Sequence, residues 1–366
     1  MKRNERVGSV RRRVPRCPRV SVIIAAHNAE NHIVRAIESV LNQGFEDLEL
    51  LAVDCASRDR TRSLCERFAE RDIRVEALCI EDESCVAGRR SALASARGEY
   101  VLFLDQNDWL SPGYLDCVVS AMASHGALLA IPEISIDAEQ ADGARISTTI
   151  SHETCFWDQP EAFRRGASAL IESGVLAFIA GKLFVRERLQ ELERPSLEGD
   201  VDQAVMVSYA RDLDRAVAVE GARYHLTVAP APARPAYDPT QFARSAHEFE
   251  VLVQLYDDWG LLDDDEAMRP IYRRHLRDVT RCIVNAALGT GRVSSAERRQ
   301  RVQDMVDAPA TRRCVQSLEA CSHEFGIMYS PIARRSAMAC CMGARIQDIV
   351  DRALTPLGAA ASARGI

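Results

Sequence analysis

No stretch of this sequence reaches eighteen uncharged apolar residues, the length that a membrane-spanning helix requires. The opening segment, MKRNERVGSVRRRVPRCPR, is rich in arginine and has no apolar centre, so it does not read as a secretory leader. The expected compartment is the cytoplasm. CxxC pairs are missing too, as is any CxxC…HxxxH spacing, which removes the usual zinc modules. The twelve cysteines are scattered through a long chain rather than crowded into a small one, so they are expected to be reduced thiols that fill the core. No GxGxxG turn follows the first strand-like run, which weakens a dinucleotide reading. Positive charge is not in excess either. With 46 Lys and Arg against 53 Asp and Glu the net charge is −7, which argues against nucleic acid as the main partner. Internal repeats are absent, and low complexity is confined to the Ala/Ser/Gly-rich end.

What is present is the composition of an ordinary globular protein, 47% hydrophobic and 27% charged. At 366 residues the chain exceeds one compact core, so a main domain with a sizeable appendage is expected. Order should begin at VSVIIAA, a β-branched run suited to a strand buried on both faces. A helix follows over AENHIVRAIESVLNQ, with Asn28 as its cap and Gly44 as its stop. LELLAVD and VEALCI read as the next strands, with a helix over SRDRTRSLCERFAER between them capped by Ser57. CVAGRRSALASAR reads as a helix, and EYVLFLD as a buried strand that runs into the polar turn DQND. Alternation of this kind gives an α/β fold, a mostly parallel sheet covered by helices. Beyond Trp109 the pattern loosens to a helix, a strand, a loop or hairpin to about residue 153, then a strand, two helices and a last strand. The expected organisation is a basic disordered tail over 1–18, the α/β domain over 19–233 and a helical region over 234–366. In that region Met338, Cys341, Met342, Ile346, Ile349 and Val350 read as one packed face, against the core or a second copy; a membrane surface is the alternative.

In an open parallel sheet, ligands bind beyond the carboxyl ends of the strands. Here those ends present His27 and Asn28, then Asp54, then Asp105, Gln106, Asn107 and Asp108. A flat imidazole and a carboxylate near helix N-termini suit a nucleotide, although each residue taken singly reads equally well as a cap or a satisfied loop group.

The order of the motifs resembles family 2 glycosyltransferases of the nucleotide-diphospho-sugar transferase (GT-A, Rossmann-like) fold. VSVIIAAHNAE at 20–30 matches the family's opening VSVIIPAYNAE, and ESVLNQ at 38–43 its first helix. LELLAVDCASRDRT, SCVAGRRSAL, RGEYVLFLD and DQNDWLSP follow in the family's order, and GKLFVRERL continues the likeness more thinly. The resemblance implies an inverting transfer of sugar from a nucleotide-sugar donor to a hydroxyl of a glycan or lipid-linked acceptor, in cell-surface polysaccharide synthesis. It places Ala25, His27, Asn28, Asp54 and Cys55 around the donor's nucleoside and Arg89 near its phosphates, with Arg90 beside it. Asp105 and Asn107 fall on the two acids of the DxD motif, which holds Mn²⁺ or Mg²⁺, and Asp202 falls on the acid that acts as general base.

Four departures cluster at these positions. Asn107 is a neutral and poorer ligand for a hard cation, so the metal is expected to be weakly held or dispensable. Cys55 replaces a carboxylate, Val201 replaces the Glu before the base, and Arg90 adds a cation. The alternative to an active enzyme is therefore a donor-binding or scaffolding subunit, of low or no activity, in a glycosyltransferase complex. Peripheral attachment to the inner face of the membrane and pairing through the C-terminal helices stay open as further partners.

Overall fold

The computed structural model describes residues 17–139, 145–192, 201–228, 236–291 and 293–354. Residues 1–16 of the expected basic tail and 229–235 of the proline-rich linker lie outside this description. The chain divides into two compact units, one of residues up to Gly113 together with Leu183–Gln190, the other of Tyr114–Lys182 and the residues from Glu191 on.

The first unit opens as expected, with β1 (Val20–Ala26), α1 (Ile33–Leu41), β2 (Leu48–Cys55), α2 (Thr61–Arg71), β3 (Val75–Ile80), α3 (Cys85–Ser95), β4 (Tyr100–Phe103) and the short β5 (Trp109–Leu110). The second unit follows with α4 (Tyr114–His125), β6 (Leu129–Glu139), β7 (Arg145–Ile150), β8 (Cys155–Trp157) and α5 (Pro160–Glu172). β9 (Leu183–Val185) and the start of α6 (Arg186–Glu191) return to the first unit. The second unit is completed by α7 (Val201–Arg211), β10 (Ala216–Val228), α8 (Gln241–Asp258), α9 (Asp265–Leu288), α10 (Ser295–Asp307), α11 (Pro309–Ser317), α12 (Tyr329–Ala333) and α13 (Ala337–Leu354).

In the first unit the strands run β3-β2-β1-β4-β9, parallel except for the antiparallel β9. Every residue of β1 and β2 is buried, as their unbroken apolar runs require of strands covered on both faces. Two polar residues in that core are satisfied by one network at the end opposite the ligand side. Ser21 donates to Glu49 at 2.6 Å, and Glu49 accepts from the Arg97 backbone at 2.7 Å and its guanidinium. Because the chain goes from β1 outward to β3 and then returns to place β4 on the other side of β1, the sheet has its switch point between β1 and β4. Loops after those two strands are therefore neighbours at the carboxyl edge, where a crevice forms.

In the second unit β6 pairs with β7 as the anticipated hairpin and runs parallel to β10, with an irregularity between Val219 and Arg223. α9 carries the helical core on Ile271, Leu276, Val279 and Ile283, and Asp264 caps it through the backbone N–H groups of Glu266 and Ala267. None of the helices among the described residues is long and apolar enough to cross a membrane.

Three local expectations need correction. Asn28 does not cap α1: it sits at φ 50°, and the helix starts only at Ile33 after His32. Ser57 does not cap α2 either, since the helix begins after Arg60 and Ser57 instead accepts from the Asn28 backbone. On α13 the apolar stripe of Met338, Met342 and Ile346 is exposed, whereas Ala337, Cys340 and Ala344 are buried. Small side chains let this helix pack closely, to the point that a Cβ on Gly343 would come within 2.8 Å of Met328. Cys341 is half-buried, and the side chains of Ile349 and Val350 fall outside the description.

Candidate functional site

Three loops meet at the carboxyl edge of the first unit's sheet. His27, just past β1, donates its backbone N–H to the side chain of Gln106 at 2.7 Å, which ties the β1 loop to the β4 loop. Its ring Nδ1 lies 2.6 Å from the carbonyl of Cys55. A carbonyl can only accept, so Nδ1 carries the proton and Nε2 is left to accept from the Asn28 amide at 2.8 Å. His27 is thus a neutral ring held at both nitrogens, half-buried beside the end of β2.

The β1 and β2 loops are stitched together by side chains. Backbone N–H groups of Asn28, Ala29 and Glu30 donate to Ser57, Thr61 and Asp59 at 3.0, 2.7 and 3.0 Å. In return the Asn28 amide oxygen accepts from the Arg58 backbone at 2.9 Å, which explains the left-handed conformation that Asn tolerates better than most residues.

Asp54, 2% exposed, closes β2. One carboxylate oxygen accepts weakly from the Ser57 backbone at 3.4 Å, while the other is buried without a hydrogen-bond partner. An orphaned buried acceptor is costly, and a donor from a ligand would satisfy it. Next to it Cys55 is fully buried, with its sulfur against α3: a Cβ on Gly88 would lie 2.5 Å from Cys55 Sγ and 3.1 Å from Ala25. Gly88 is what allows the helix to approach β1 and β2 so closely. Cys85, the first residue of α3, is half-buried. The Cys55 thiol is pushed far up by the neighbouring Cys85 thiol and by burial. The Cys85 thiol is lowered by the neighbouring Cys55 thiol, opposed by burial and Asp105 and helped by the charge of Arg89.

Arg89 is half-buried on α3, and Arg90, the next residue round the helix, is exposed. In the β4 loop Asp105 accepts from the Asn107 backbone at 3.1 Å, and the Asn107 carbonyl accepts from Arg35 at 2.7 Å. Asp108 is buried. Among the described residues no group of three or more His, Cys, Asp or Glu side chains could hold a metal. The donor set of this loop is the half-buried Asp105, the buried Asp108 and the neutral amide of Asn107, with no third acid, His or Cys beside them among the described residues, which fits a divalent metal poorly.

The structure therefore brings Ala25, His27, Asn28, Asp54, Cys55 and Asp105 to one edge, along with Arg89 on the adjoining helix. Asp202 belongs to the second unit, half-buried in the first turn of α7. Lys182 of the same unit, which sequence reasoning passed over, is fully buried; its ammonium has no hydrogen-bond partner and lies 4.2 Å from the centre of the Phe178 ring. Burial lowers its pKa to about 7, against the attraction of Asp202. A signal was available: Lys182 is one of only two lysines among 46 basic residues. Cys85 was also passed over as a contributor to the edge, whereas Gln106 lies there as the strand-end cluster implied.

Residues 21–184 match the model of glycosyl transferase family 2. That match spans less than half of the chain, and over it the sequence is similar to members of that family. The EpsH glycosyltransferase of Bacillus subtilis strain 168 is 28% identical over 173 residues, 47% of this chain and 48% of EpsH. The succinoglycan biosynthesis protein ExoO of Rhizobium meliloti strain 1021 is 32% identical over 124 residues, 34% of this chain and 35% of ExoO. The chain thus spans about half or less of the length of these relatives. In three dimensions it is similar to S. aureus TarS residues 1–349, with a TM-score of 0.59 at 16% identity over 91% of this chain and 92% of that one. That likeness concerns the fold, the GT-A arrangement expected from the motifs, and crystal structures of TarS contain UDP and UDP-GlcNAc.

Proposed function

We propose that the chain transfers a sugar, with inversion, from a nucleoside diphosphate donor to a hydroxyl of a cell-surface polysaccharide or its lipid-linked precursor, at the cytoplasmic face of the membrane. The observation that carries this reading is the orphaned, buried Asp54 oxygen at the carboxyl edge of the parallel sheet, beside a neutral histidine held flat-ringed at both nitrogens. A nucleobase or ribose donor satisfies that oxygen, and His27 offers a ring to stack on. The presence of UDP and UDP-GlcNAc in TarS crystals and the polysaccharide named for ExoO support the donor and acceptor classes.

Inverting transfer needs a base for the acceptor hydroxyl and positive charge for the departing diphosphate. Asp202, in the first turn of α7, is the base in this proposal. The acceptor oxygen then attacks the anomeric carbon from the face opposite the diphosphate, which leaves with the bonding pair. Arg89 and the N-terminus of α3 stabilise that leaving group. A divalent metal held by Asp105 and Asn107 would supply the same charge, but these residues fit it poorly, and no step here depends on it.

The poor donor set of Asp105 and Asn107 also favours a second reading, a donor-binding subunit without turnover. Incubation with a panel of nucleotide sugars separates the two: slow donor hydrolysis marks the enzyme, and nucleotide binding with no hydrolysis and no transfer marks the subunit. Absence of nucleotide binding removes both.

A further inference from the structure

Few large apolar side chains of this protein reach solvent, and those that do are not scattered. Among the described residues Ile73 is one, and the other four, Ile327, Met338, Met342 and Ile346, lie close together in the sequence of the second unit at 50%, 65%, 59% and 51% exposure. Met338, Met342 and Ile346 recur every fourth residue of α13, so a single face of that helix carries all three. Its other face is the buried one, with Ala337, Cys340 and Ala344. Ile327 joins the exposed group because the residue after it, Met328, is the one that meets α13 at Gly343. Single exposed apolar residues are ordinary on a protein surface, but a helix face of them marks a contact to be made.

Positive charge surrounds this face. Arg345 falls on it, since at about 100° per residue it stands about 20° from Met338 round the helix. Arg334 comes just before the helix. Arg299 on α10 lies one turn before Gln303, whose side chain bonds the start of α13 at the Arg335 carbonyl (3.1 Å) and the Ala337 N–H (3.4 Å). All three arginines are exposed, and none has an ion pair among the described residues, whereas Arg335 is paired with Asp307. No acid of α13 falls within the arc from Arg345 to Ile346. The chain as a whole carries −7, yet residues 293–354 hold nine arginines against seven Asp and Glu.

We propose that the exposed face of α13, together with Ile327, docks the protein on a bilayer that contains anionic lipid. Met338, Met342 and Ile346 enter the boundary between headgroups and acyl chains, and Arg299, Arg334 and Arg345 meet the lipid phosphates. Methionine suits such a contact, because its flexible, polarizable side chain adapts to a fluid partner. The helix lies in the plane of the surface, being too short of apolar length to cross it. A second copy of the chain fits this face less well: a two-fold contact sets the same surface against itself, bringing Arg345 toward its own counterpart with no acid on the arc to pair with either. The docking face gives the membrane location proposed above a physical contact and rests on that location, not on sugar transfer.

The full chain is sedimented with vesicles of phosphatidylcholine alone, or of phosphatidylcholine and phosphatidylglycerol in equal parts, and UDP binding is measured on the same protein by calorimetry. Binding to the mixed vesicles is expected to exceed that to phosphatidylcholine by at least about tenfold and to fall with added salt. Met338→Asp combined with Met342→Asp should lower it at least about tenfold, with thermal unfolding and UDP affinity unchanged, because both side chains stand in solvent. Should that variant fail to fold, Arg299→Glu combined with Arg345→Glu should give the same loss. Binding that persists undiminished in the folded variant, as the arginine-rich residues 1–16 alone would give, overturns the docking face. So does a dimer in sedimentation velocity that the Asp substitutions dissociate while no vesicle is bound. Failure to bind vesicles with UDP affinity intact removes the docking face and leaves the donor site standing; vesicle binding without nucleotide affinity does the reverse.

Discussion

Replacing Lys182 with methionine should make the protein more stable at neutral pH, although it removes a charged residue from the centre of a fold. The ammonium is fully buried, has no hydrogen bond, and has a pKa lowered from 10.5 to about 7 by loss of solvent. At about 1.4 kcal/mol per unit, that shift corresponds to a penalty of about 5 kcal/mol for holding the charged form inside. The Phe178 ring at 4.2 Å offsets part of it; a desolvated cation over a ring is worth about 2 kcal/mol. Methionine has similar length and no charge, so the net gain should be about 2 to 4 kcal/mol at pH 7. The sign with pH follows from proton counts. Between about 7 and 10.5 the unfolded lysine holds a proton that the folded one has released, so stability rises with pH across that window and is flat below it. Urea unfolding at a series of pH values checks both effects. Trp157 and Trp259 lie in the same unit as Lys182, so a Trp109→Phe background confines the fluorescence signal to that unit. A wild-type stability that does not rise between pH 7 and 9, or a Lys182→Met protein less stable at pH 7, would refute the reasoning.

Asp202→Asn should lower transfer by at least about 100-fold with nucleotide affinity unchanged, because a base acts on the acceptor proton only as the bond forms; single-turnover kinetics beside calorimetry read the two separately. His27→Ala should weaken nucleotide binding by about 1 to 3 kcal/mol, the worth of one stacked base. Gly88→Ala should destabilise the first unit, since its Cβ would meet Cys55 Sγ at 2.5 Å and Ala25 at 3.1 Å, and thermal unfolding should show it. Asn107→Asp should make nucleoside diphosphate binding respond to Mn²⁺ where the natural protein is nearly indifferent to chelator, and Arg89→Ala should weaken that binding more than Arg90→Asn. A natural protein that needs metal, with an inert Arg89→Ala, would return Asn107 to service as a ligand.

The strands and most helices of the first unit were legible because burial on both faces leaves a plain mark, the runs VSVII and LELLAV. Where α1 begins was not. Asn28 has the chemistry of a cap, but its side chain is engaged by His27 and by Arg58, thirty residues on, and no local rule sees that competitor. α13 failed differently. Its period revealed two stripes, one of Met and Ile and one of Ala and Cys, and hydrophobicity favoured the first; close packing chose the smaller side chains. At the site, ordered motifs located the edge, since a parallel sheet delivers strand ends to one side whatever the sequence between them. The contact of Cys55 with Gly88 depends instead on the approach of α3 to β2, a distance that no spacing encodes.

The stitching of the β1 loop to the β2 loop has a thermodynamic consequence. Residues 28–30 and 57–61 already spend their backbone N–H groups and side chains on one another. Ordering a loop on binding costs about 1 to 2 kcal/mol per residue, and these residues have met that cost during folding. Nucleotide association should therefore show the small heat-capacity change of a rigid receptor, with affinity set by contacts rather than by closure. The same economy removes the backbone donors of residues 28–30 from any competition for phosphate, so free phosphate should be a poor ligand here, and discrimination should begin at the nucleoside.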